Sequence, residues 1–371
     1  AGRAPAARAA PALACGPSGR APRRGWAGSG RSSEGSGRGG AAFRCPCRRA
    51  GARGGCARGA MALRTDATFD SGHTDQVHDS QLDYYGKRLA TCSSDRLIKL
   101  FEVSAESQTF LCDLVGHEGP VWQGCWSHPK FGALLASCSF DRTVRIWKEA
   151  AENVWQPVYT SPPTLHDASV NSVCWAPHEV GLMLACASSD GSLSVISHNA
   201  EDGTWSEQKV PGAHSVGCMS VSWAPATPPG SLVVGAAAPQ APVRRLASCG
   251  CDNLVKLWVW SEQTGTWAEE AAPLVGHTDW VRCVAWAPNV GLPMNTLASC
   301  GQDGKVIIWT QHEPGGPFTS KLLSDYAGTP VWSVSWSPMG NILAVSDGNN
   351  QVKIWKEGID LEWNQLTDVE A

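Results

Sequence analysis

Short β-rich segments bounded by turn residues recur along the chain from Gly72 onward. In TVRIW at 143–147 and KVIIW at 305–309, β-branched and aromatic residues dominate, and Asp, Gly or Asn stands nearby. Such segments predict strands of antiparallel meanders. The longest apolar runs, Leu182–Ala187 and Leu232–Ala238, fall well short of the ~18 residues that a membrane-spanning helix requires. We therefore expect a soluble all-β protein.

A second pattern returns about every 40 residues, the period of a propeller blade. In each repeat a His is followed nine residues later by a large apolar residue, then by a strand, a turn Asp and, six residues after the Asp, a large apolar residue. The histidines are His73, His117, His166, His214 and His277, and the turn aspartates are Asp95, Asp141, Asp190, Asp252 and Asp303. A sixth repeat has Ala327 and Asn349 at these places. We predict one six-bladed β-propeller over residues 61–371, with a four-stranded meander in each blade.

These residues resemble the WD-repeat family. In that family the His, a strand hydroxyl, the turn Asp and a Trp form one hydrogen-bonded network per blade, and the resemblance implies the same structural role here. The set is complete in the second, fourth and fifth repeats. The residues are His117, Ser137, Asp141 and Trp147; His214, Ser248, Asp252 and Trp258; and His277, Ser299, Asp303 and Trp309. A buried Asp without donors would cost about 1–3 kcal/mol. Each His is therefore expected to hydrogen-bond the turn Asp and so to hold its own loop against that turn.

Charge divides the chain at Met61. The first 60 residues contain twelve Arg against one acid, Glu34, and few large apolar side chains that could offset the entropy of folding. We expect residues 1–60 to be a disordered leader, either upstream sequence translated in frame before Met61 or a basic interaction tail. From Met61 on, 18 Lys and Arg face 33 Asp and Glu. This balance disfavours direct binding to nucleic acid.

The cysteines do not indicate a cofactor, and the absence of known catalytic motifs gives no indication of a catalysed reaction. Fifteen cysteines spread through a chain of this size, without a signal-peptide core, favour a reducing compartment over a disulfide framework. The close pairs, Cys45 with Cys47 and Cys249 with Cys251, lack the second pair that zinc requires. Phosphate-binding loops, nucleophile elbows and zinc-protease motifs are all missing from the sequence. We predict a non-enzymatic protein without a metal or cofactor site.

The segment after the sixth aromatic residue, Trp355, predicts an open ring. Residues 361–369, LEWNQLTDV, resemble the outer-strand segments of earlier repeats, so the last blade can supply its own outer strand. The first and sixth blades would then meet without a shared strand, which invites a strand from a partner. The residues expected at this partner-binding seam are Phe69, Val77, Leu82, Trp363 and Leu366. The alternative is a conventional ring, in which Phe69 and its neighbours pair into the sixth blade.

Several longer runs resemble one family more closely than the generic repeat. They are HDSQLDYYGKRLATCSSD at 78–95, GHEGPVW at 116–122, SVNSVCWAPH at 169–178, GCDNLVKL at 250–257, DWVR at 279–282 and SCGQD at 299–303. These runs are similar to the Sec-thirteen family, the small WD-repeat subunits of the COPII outer coat, over residues 72–363. The loop at 231–245 is more apolar than expected for that family.

The resemblance implies a scaffold that is completed by a partner. Members of the family form an open six-bladed propeller into which a partner inserts a blade, and they work without a cofactor. The implied partners are the large rod subunit of the COPII coat, a nucleoporin of the Y-shaped nuclear pore complex and subunits of the GATOR nutrient-signalling assembly. The implied places are the coat on vesicles leaving the endoplasmic reticulum, the nuclear envelope and the lysosomal membrane. Contact with the membrane would be peripheral, through the coat.

A substrate adaptor of a ubiquitin ligase is the alternative function. Such adaptors are often propellers and tend to carry Trp-Asp-x-Arg at the end of a blade. No Trp-Asp pair occurs in this chain.

Overall fold

Twenty-five strands form six antiparallel sheets in the part of the chain that the computed structural model describes. The described residues are 69–104, 107–227, 242–289, 294–313, 315–326, 328–358 and 360–370, with the backbone alone at 367–370. They all belong to one compact unit. The predicted leader and most of the apolar loop at 231–245 lie outside them.

The first three blades are regular four-stranded meanders. The first blade consists of β1 (Val77–Leu82), β2 (Arg88–Ser93), β3 (Leu97–Val103) and β4 (Gln108–Val115). The second blade consists of β5 (Val121–Trp126), β6 (Leu134–Ser139), β7 (Val144–Ala151) and β8 (Val154–Thr160). The third blade consists of β9 (Val170–Trp175), β10 (Met183–Ser188), β11 (Leu193–His198) and β12 (Trp205–Val210). A single 3₁₀ turn, Pro129–Phe131, follows β5 in this part of the structure.

The last three blades repeat this order, with one interruption. The fourth blade consists of β13 (Cys218–Trp223), β14 (Arg245–Gly250), β15 (Leu254–Ser261) and an outer strand divided into β16 (Thr266–Glu269) and β17 (Leu274–Val275). The fifth blade consists of β18 (Val281–Trp286), β19 (Asn295–Gly301), β20 (Lys305–Gln311) and β21 (Thr319–Asp325). The sixth blade consists of β22 (Val331–Trp336), β23 (Ile342–Asp347), β24 (Gln351–Glu357) and β25 (Trp363–Glu370).

The turn between the second and third strands has the same backbone in all six blades. The residue after the turn Asp or Asn has a positive φ, which is 71° at Arg142, 66° at Asn253 and 77° at Gly304. A backbone N–H two residues after the Asp and another in the loop before the blade donate to the carboxylate, as Thr143 and Glu118 do to Asp141 at 2.8 and 2.9 Å. The repeated Asp is therefore required because it holds a tight left-handed turn at the edge of each blade.

The core lies between the blades. Five buried apolar clusters occupy the five interfaces between successive blades in the described structure. In the first interface Ala90, Cys92 and Ile98 of the first blade pack against Leu135 and Trp147 of the second. Each blade thus presents small and β-branched side chains to the next blade and receives a Leu and an aromatic ring in return. The Leu of the Leu-Ala-Ser-Cys segment faces the preceding blade, and its Ala and Cys face the next blade. Both interfaces therefore require this segment in each blade.

The blades follow one another around a ring that no strand closes. The innermost strands β1, β5, β9, β13, β18 and β22 each pack against the next in this order, but no comparable contact joins β22 to β1 among the described residues. β25 pairs with β24, so the sixth blade supplies its own outer strand. Phe69 is not in a strand, and among the described residues the sixth sheet consists of β22 to β25. The prediction of an all-β, six-bladed propeller is confirmed.

Candidate functional site: the open seam

The gap between the first and sixth blades, called the seam below, leaves one Leu uncovered. The second strand of every other blade carries a Leu that faces the preceding blade and is at most 1% exposed: Leu135, Leu184, Leu246, Leu297 and Leu343. Leu89 holds this position in the first blade, because it pairs with Leu82 as Leu135 pairs with Trp126. Leu89 is only half-buried. It lacks the preceding blade that covers its counterparts.

The sixth blade leaves the opposite wall of the seam uncovered. In the fifth blade Ala298, Cys300 and Val306 face the next blade and are 0% exposed. Their counterparts in the sixth blade, by strand register, are Ala344, Ser346 and Val352, and all three are half-buried. Ser333 and Ser335 on the innermost strand are exposed. The two walls therefore match the two faces that form a normal interface, and no described strand lies between them.

An aromatic cluster covers part of the first-blade wall. The rings of Phe69 and Phe101 pack edge to face with centroids 5.1 Å apart, and Phe101 meets Phe110 at 5.8 Å. Phe101 is thereby buried, whereas Phe110 remains half exposed. Lys99 lies over the Phe110 ring and forms an ion pair with Asp113 at 2.8 Å. Phe69 thus lies on the first-blade side of the seam.

The other predicted seam residues lie in different places. Val77 and Leu82 are in β1, where Val77 is buried and Leu82 is half-buried. Trp363 is not on the seam: its ring packs against Trp336 at 5.7 Å, within the cluster between the fifth and sixth blades. It pairs with Glu357, two positions from Trp355, so strand alternation places it on the Trp355 side of the sheet. Leu366 lies at a register shift of β25 and is 42% exposed.

The sequence analysis missed Leu89, Ala344, Ser346 and Val352 as residues of the seam. They occupy ordinary repeat positions, and their counterparts in other blades are core residues. The available signal was the predicted open ring itself, because the outward faces of its two terminal blades must lack a neighbour.

The three complete blade networks share one geometry. His117 Nδ1 lies 2.9 Å from Asp141 Oδ2, its Nε2 lies 2.8 Å from Ser137 Oγ, and the Trp147 indole donates to Ser137 Oγ at 2.9 Å. In the fourth blade His214 lies 2.8 Å from both Asp252 and Ser248, and Trp258 donates to Ser248 at 2.9 Å. In the fifth blade His277 lies 3.1 Å from Asp303 and 2.8 Å from Ser299, and Trp309 donates to Ser299 at 2.8 Å.

The hydrogen bonds around His117 suit a neutral imidazole. Because Trp147 donates to the Ser137 hydroxyl, that hydroxyl can donate its own proton to His117 Nε2, which leaves Nδ1–H to donate to Asp141. Burial lowers the pKa of His117 and of His277. Burial by itself would raise the pKa of Asp141, but hydrogen bonds from His117, Thr143 and the Glu118 backbone outweigh it and lower that pKa. The network side chains point into the blades and stabilise them.

The remaining blades have reduced networks. In the first blade His73 lies 2.7 Å from Asp95 and 2.8 Å from Thr91, but Phe101 replaces the Trp donor. In the third blade His166 Nε2 lies 2.9 Å from Ser194 of β11, because Cys186 occupies the usual hydroxyl position.

In the sixth blade Asp347 accepts backbone bonds from Asn349 and Gln351 at 2.9 and 3.0 Å. Asn349 donates to Thr329 at 3.4 Å. The sequence analysis had not singled out Asp347.

Among the described residues, no group of three His, Cys, Asp or Glu side chains could hold a metal ion. Burial raises the pKa of the Cys186 thiol to about 12 and raises the pKa of Cys174 as well. In the same residues no helix is long and apolar enough to cross a membrane.

Comparison with known proteins gives matches over most of the chain. The family described as WD domain, G-beta repeat, matches residues 65–102, 108–148, 155–197, 269–310 and 320–356. The chain is 52% identical to the Protein SEC13 homolog of Homo sapiens over 304 residues, which are 81% of this chain and 92% of that protein. It is 48% identical to the Protein SEC13 homolog of Drosophila melanogaster over 299 residues, 80% of this chain and 82% of the relative. It is 46% identical to the Protein transport protein SEC13 of Mycosarcoma maydis over 355 residues, 84% of this chain and 97% of the relative.

Proposed function

The chain belongs to the SEC13 family of WD-repeat proteins, and on this basis we propose that it is a non-enzymatic scaffold subunit of the COPII coat, in protein transport from the endoplasmic reticulum to the Golgi. The observation that carries the proposal is the open seam, which exposes the two complementary faces of a missing interface. Its natural occupant is a blade donated by a partner chain. We assign this donor as the large rod subunit of the coat.

The proposed role is to stiffen a rod-like partner. A donated blade would cover Leu89 on one wall and Ala344 and Val352 on the other, and burying each large apolar side chain contributes about 1.5–3 kcal/mol. The partner's blade would then be held on both faces. A rod joined to a rigid propeller in this way resists bending at the point of insertion.

The same seam would serve the other partners that the resemblance implies. A nucleoporin of the Y-shaped nuclear pore complex or a GATOR subunit needs only a short β-sheet with suitable faces, because the seam recognises the donated blade and not the remainder of the donor. In the coat, the protein would act at the cytoplasmic face of the endoplasmic reticulum, and in the other assemblies at the nuclear envelope and the lysosomal membrane.

Affinity purification from cells tests the proposal. The full chain is compared with Leu89→Arg and Val352→Arg, which place a charge on either wall of the seam, and with Val275→Arg, which places the same charge at a residue of the fourth blade that is 72% exposed. We expect the full chain and Val275→Arg to recover the rod subunit in stoichiometric amounts. Both seam variants should lose it.

Circular dichroism and thermal unfolding of each variant show whether the propeller is intact, and two seam variants guard against one of them failing to fold. Equal recovery of the rod subunit by folded seam variants would contradict the assignment of the seam. Recovery of ubiquitin-ligase components in its place would favour the adaptor function.

A further inference from the structure

A side-chain hydrogen bond joins the innermost strands of successive blades at a fixed position. The third residue of one strand accepts a hydrogen bond from the backbone N–H of the fourth residue of the next strand. The bonds run from Gly124 N to Asp79 at 3.1 Å, Val173 N to Gln123 at 2.9 Å, Val221 N to Ser172 at 3.4 Å and Val284 N to Ser220 at 3.4 Å. In the fifth interface Cys283 holds this position and contacts the backbone of Val334. The third residue is therefore an acceptor in the first four interfaces, whereas in the fifth the Cys283 thiol donates to the Val334 carbonyl at 3.8 Å.

A second bond recurs two positions later. The Trp at the sixth position of one strand donates its indole N–H to the carbonyl of the fifth residue of the preceding strand. The bonds run from Trp126 to Gln81 O at 2.9 Å, Trp175 to Cys125 O at 2.9 Å, Trp223 to Cys174 O at 3.0 Å and Trp336 to Ala285 O at 3.0 Å. The fourth interface differs: the backbone N–H of Trp286 donates to Ser222 Oγ at 2.9 Å. These bonds fix the register of each blade on its predecessor.

At the seam both acceptor positions lack a donor from a neighbouring blade among the described residues. Ser333 and Ser335 occupy the third and fifth positions of β22, and both are exposed. No residue of the described first blade donates to Ser333 Oγ, and no described side chain donates to the Ser335 carbonyl. Ser333 also contacts Cys283, but Ser220 has the same contact while accepting from Val284, so this contact belongs to the ring. The first blade could not replace the missing donor, because Leu82 stands where the other blades have Trp.

We propose that the donated blade docks on the sixth blade in the same hydrogen-bond register that joins successive blades of the ring. Its innermost strand presents a backbone N–H to the Ser333 hydroxyl and, two residues later, a Trp indole N–H to the Ser335 carbonyl. This inference rests on the proposed blade donation and specifies the chemistry of the donor: a β-strand with Trp at the sixth position, and a following strand with Leu to cover Ala344. On its other face the donor meets Leu82 and Leu89, so that face is apolar and requires no indole acceptor.

A guest blade appended to the full chain tests the register. A copy of residues 116–160, the second blade, follows residue 370 directly, so that residues 116–120 of the copy serve as the connector, as they do between β4 and β5. This guest carries Gly124 and Trp126 at the fourth and sixth positions. Hydrogen exchange then measures protection of the guest strands and of β22. We expect the guest to be protected in the fusion.

Matched variants separate hydrogen bonding from apolar fit. Trp126→Phe in the guest removes the indole donor, whereas Trp155→Phe in the guest removes an indole N–H that has no partner in the parent blade. In the host, Ser333→Ala removes the acceptor hydroxyl, whereas Ser335→Ala keeps the acceptor carbonyl. Trp126→Phe and Ser333→Ala should each lower guest protection about five- to tenfold, the value of one hydrogen bond of about 1 kcal/mol, and their controls less than about twofold.

Equal protection with all four variants would overturn the register and leave apolar fit as the basis of docking. An unaltered guest without protection would overturn it as well, because that guest carries every element of the pattern. Neither result changes the expected loss of the rod subunit by the Leu89→Arg variant. The proposed register and the proposed function can therefore be contradicted independently.

Discussion

The ring of Phe69 packs edge to face against the ring of Phe101, with centroids 5.1 Å apart, on the first-blade wall of the seam. Phe101 occupies the place that Trp147 holds in the second blade, where the preceding blade covers it. The segment before β1 therefore covers part of a wall that lacks its neighbouring blade. Its described part, residues 69–76, does so by ring packing and adds no strand to the sixth sheet.

Replacing Phe69 with Ala should lower the free energy of unfolding by about 1–2 kcal/mol. The variant loses one edge-to-face aromatic pair, worth about 0.5–1.5 kcal/mol, together with the apolar area of a half-buried ring. Urea unfolding of the full chain measures the change, and Val216→Ala, at a residue that is 61% exposed, is the control. Equal stability of the Phe69→Ala and native proteins would show that the contact does not persist in solution.

Replacing Ser299 with Ala should cost more than replacing Thr91 with Val. Ser299 accepts from Trp309 and lies 2.8 Å from His277, so its loss leaves two buried polar groups unpaired, at about 1–3 kcal/mol each. Thr91 serves only His73 among the network side chains, because Phe101 has no donor. The loss in each variant is measured as the shift of its urea unfolding midpoint from that of the native protein. Equal losses would mean that the indole bond contributes nothing to stability.

The fold could be predicted from sequence because its signals are local. The His, the turn Asp and the aromatic residue keep fixed spacings within one blade, and each acts on a loop or a turn beside its own strands. The fourth blade illustrates this: residues 198–268 lie between the stretches matched by the repeat family, yet His214, Asp252 and Trp258 stand at their repeat spacings and form a complete network. The outer strand β25 was also predictable, because its segment resembles those of earlier blades.

The walls of the seam could not be predicted residue by residue. Leu89 and Leu135 stand in similar segments, RLATCSSD and LLASCSFD, and only the absence of a neighbour across the ring makes one of them accessible. Trp363 was assigned to the seam from its position in the last strand, but the face on which a side chain lies depends on strand register, and one residue of slip reverses it. Asp79 shows the same limit, because the Gly124 N–H that it accepts comes from the next blade.

Replacing Asp79 with Asn should stabilise the protein at neutral pH. Burial raises the pKa of Asp79 to about 6, against which hydrogen bonds from Gly124 and Gln81 act only in part. The favourable contribution of the protonated group is fully present below the unfolded pKa of about 4 and is lost as the pH rises through about 6. Asn keeps an oxygen for the Gly124 N–H without a charge. We expect a gain of about 1–3 kcal/mol at pH 7.5 and a smaller gain at pH 4.5.

Urea unfolding at the two pH values measures this gain. Asp167→Asn is the control, because that carboxylate is 85% exposed and should change stability little at either pH. A variant less stable than the native protein at pH 7.5 would contradict the prediction, and would show that the ionised carboxylate is required to join the first two blades.

In the Asp79→Asn background, stability should fall as the pH is lowered from about 6.5, the ordinary pKa of His. Burial lowers the pKa of His117 and of His277, so below that pH the unfolded chain binds more protons than the folded chain. The free energy of unfolding must then decrease with falling pH until the folded histidines also protonate. Urea unfolding at pH 7.5, 6.5 and 5.5 measures the slope, and His117→Gln should reduce it because one of these histidines is removed.

The carboxylates of Asp252 and Asp303 do not contribute to this slope. Their network histidines help to lower their pKa values against the effect of burial, so their contribution to stability is lost only below about pH 4. A profile that is flat from pH 7.5 to 5.5 would mean that the buried histidines accept a proton as readily as in the unfolded chain, and the neutral state assigned to the blade networks would be wrong.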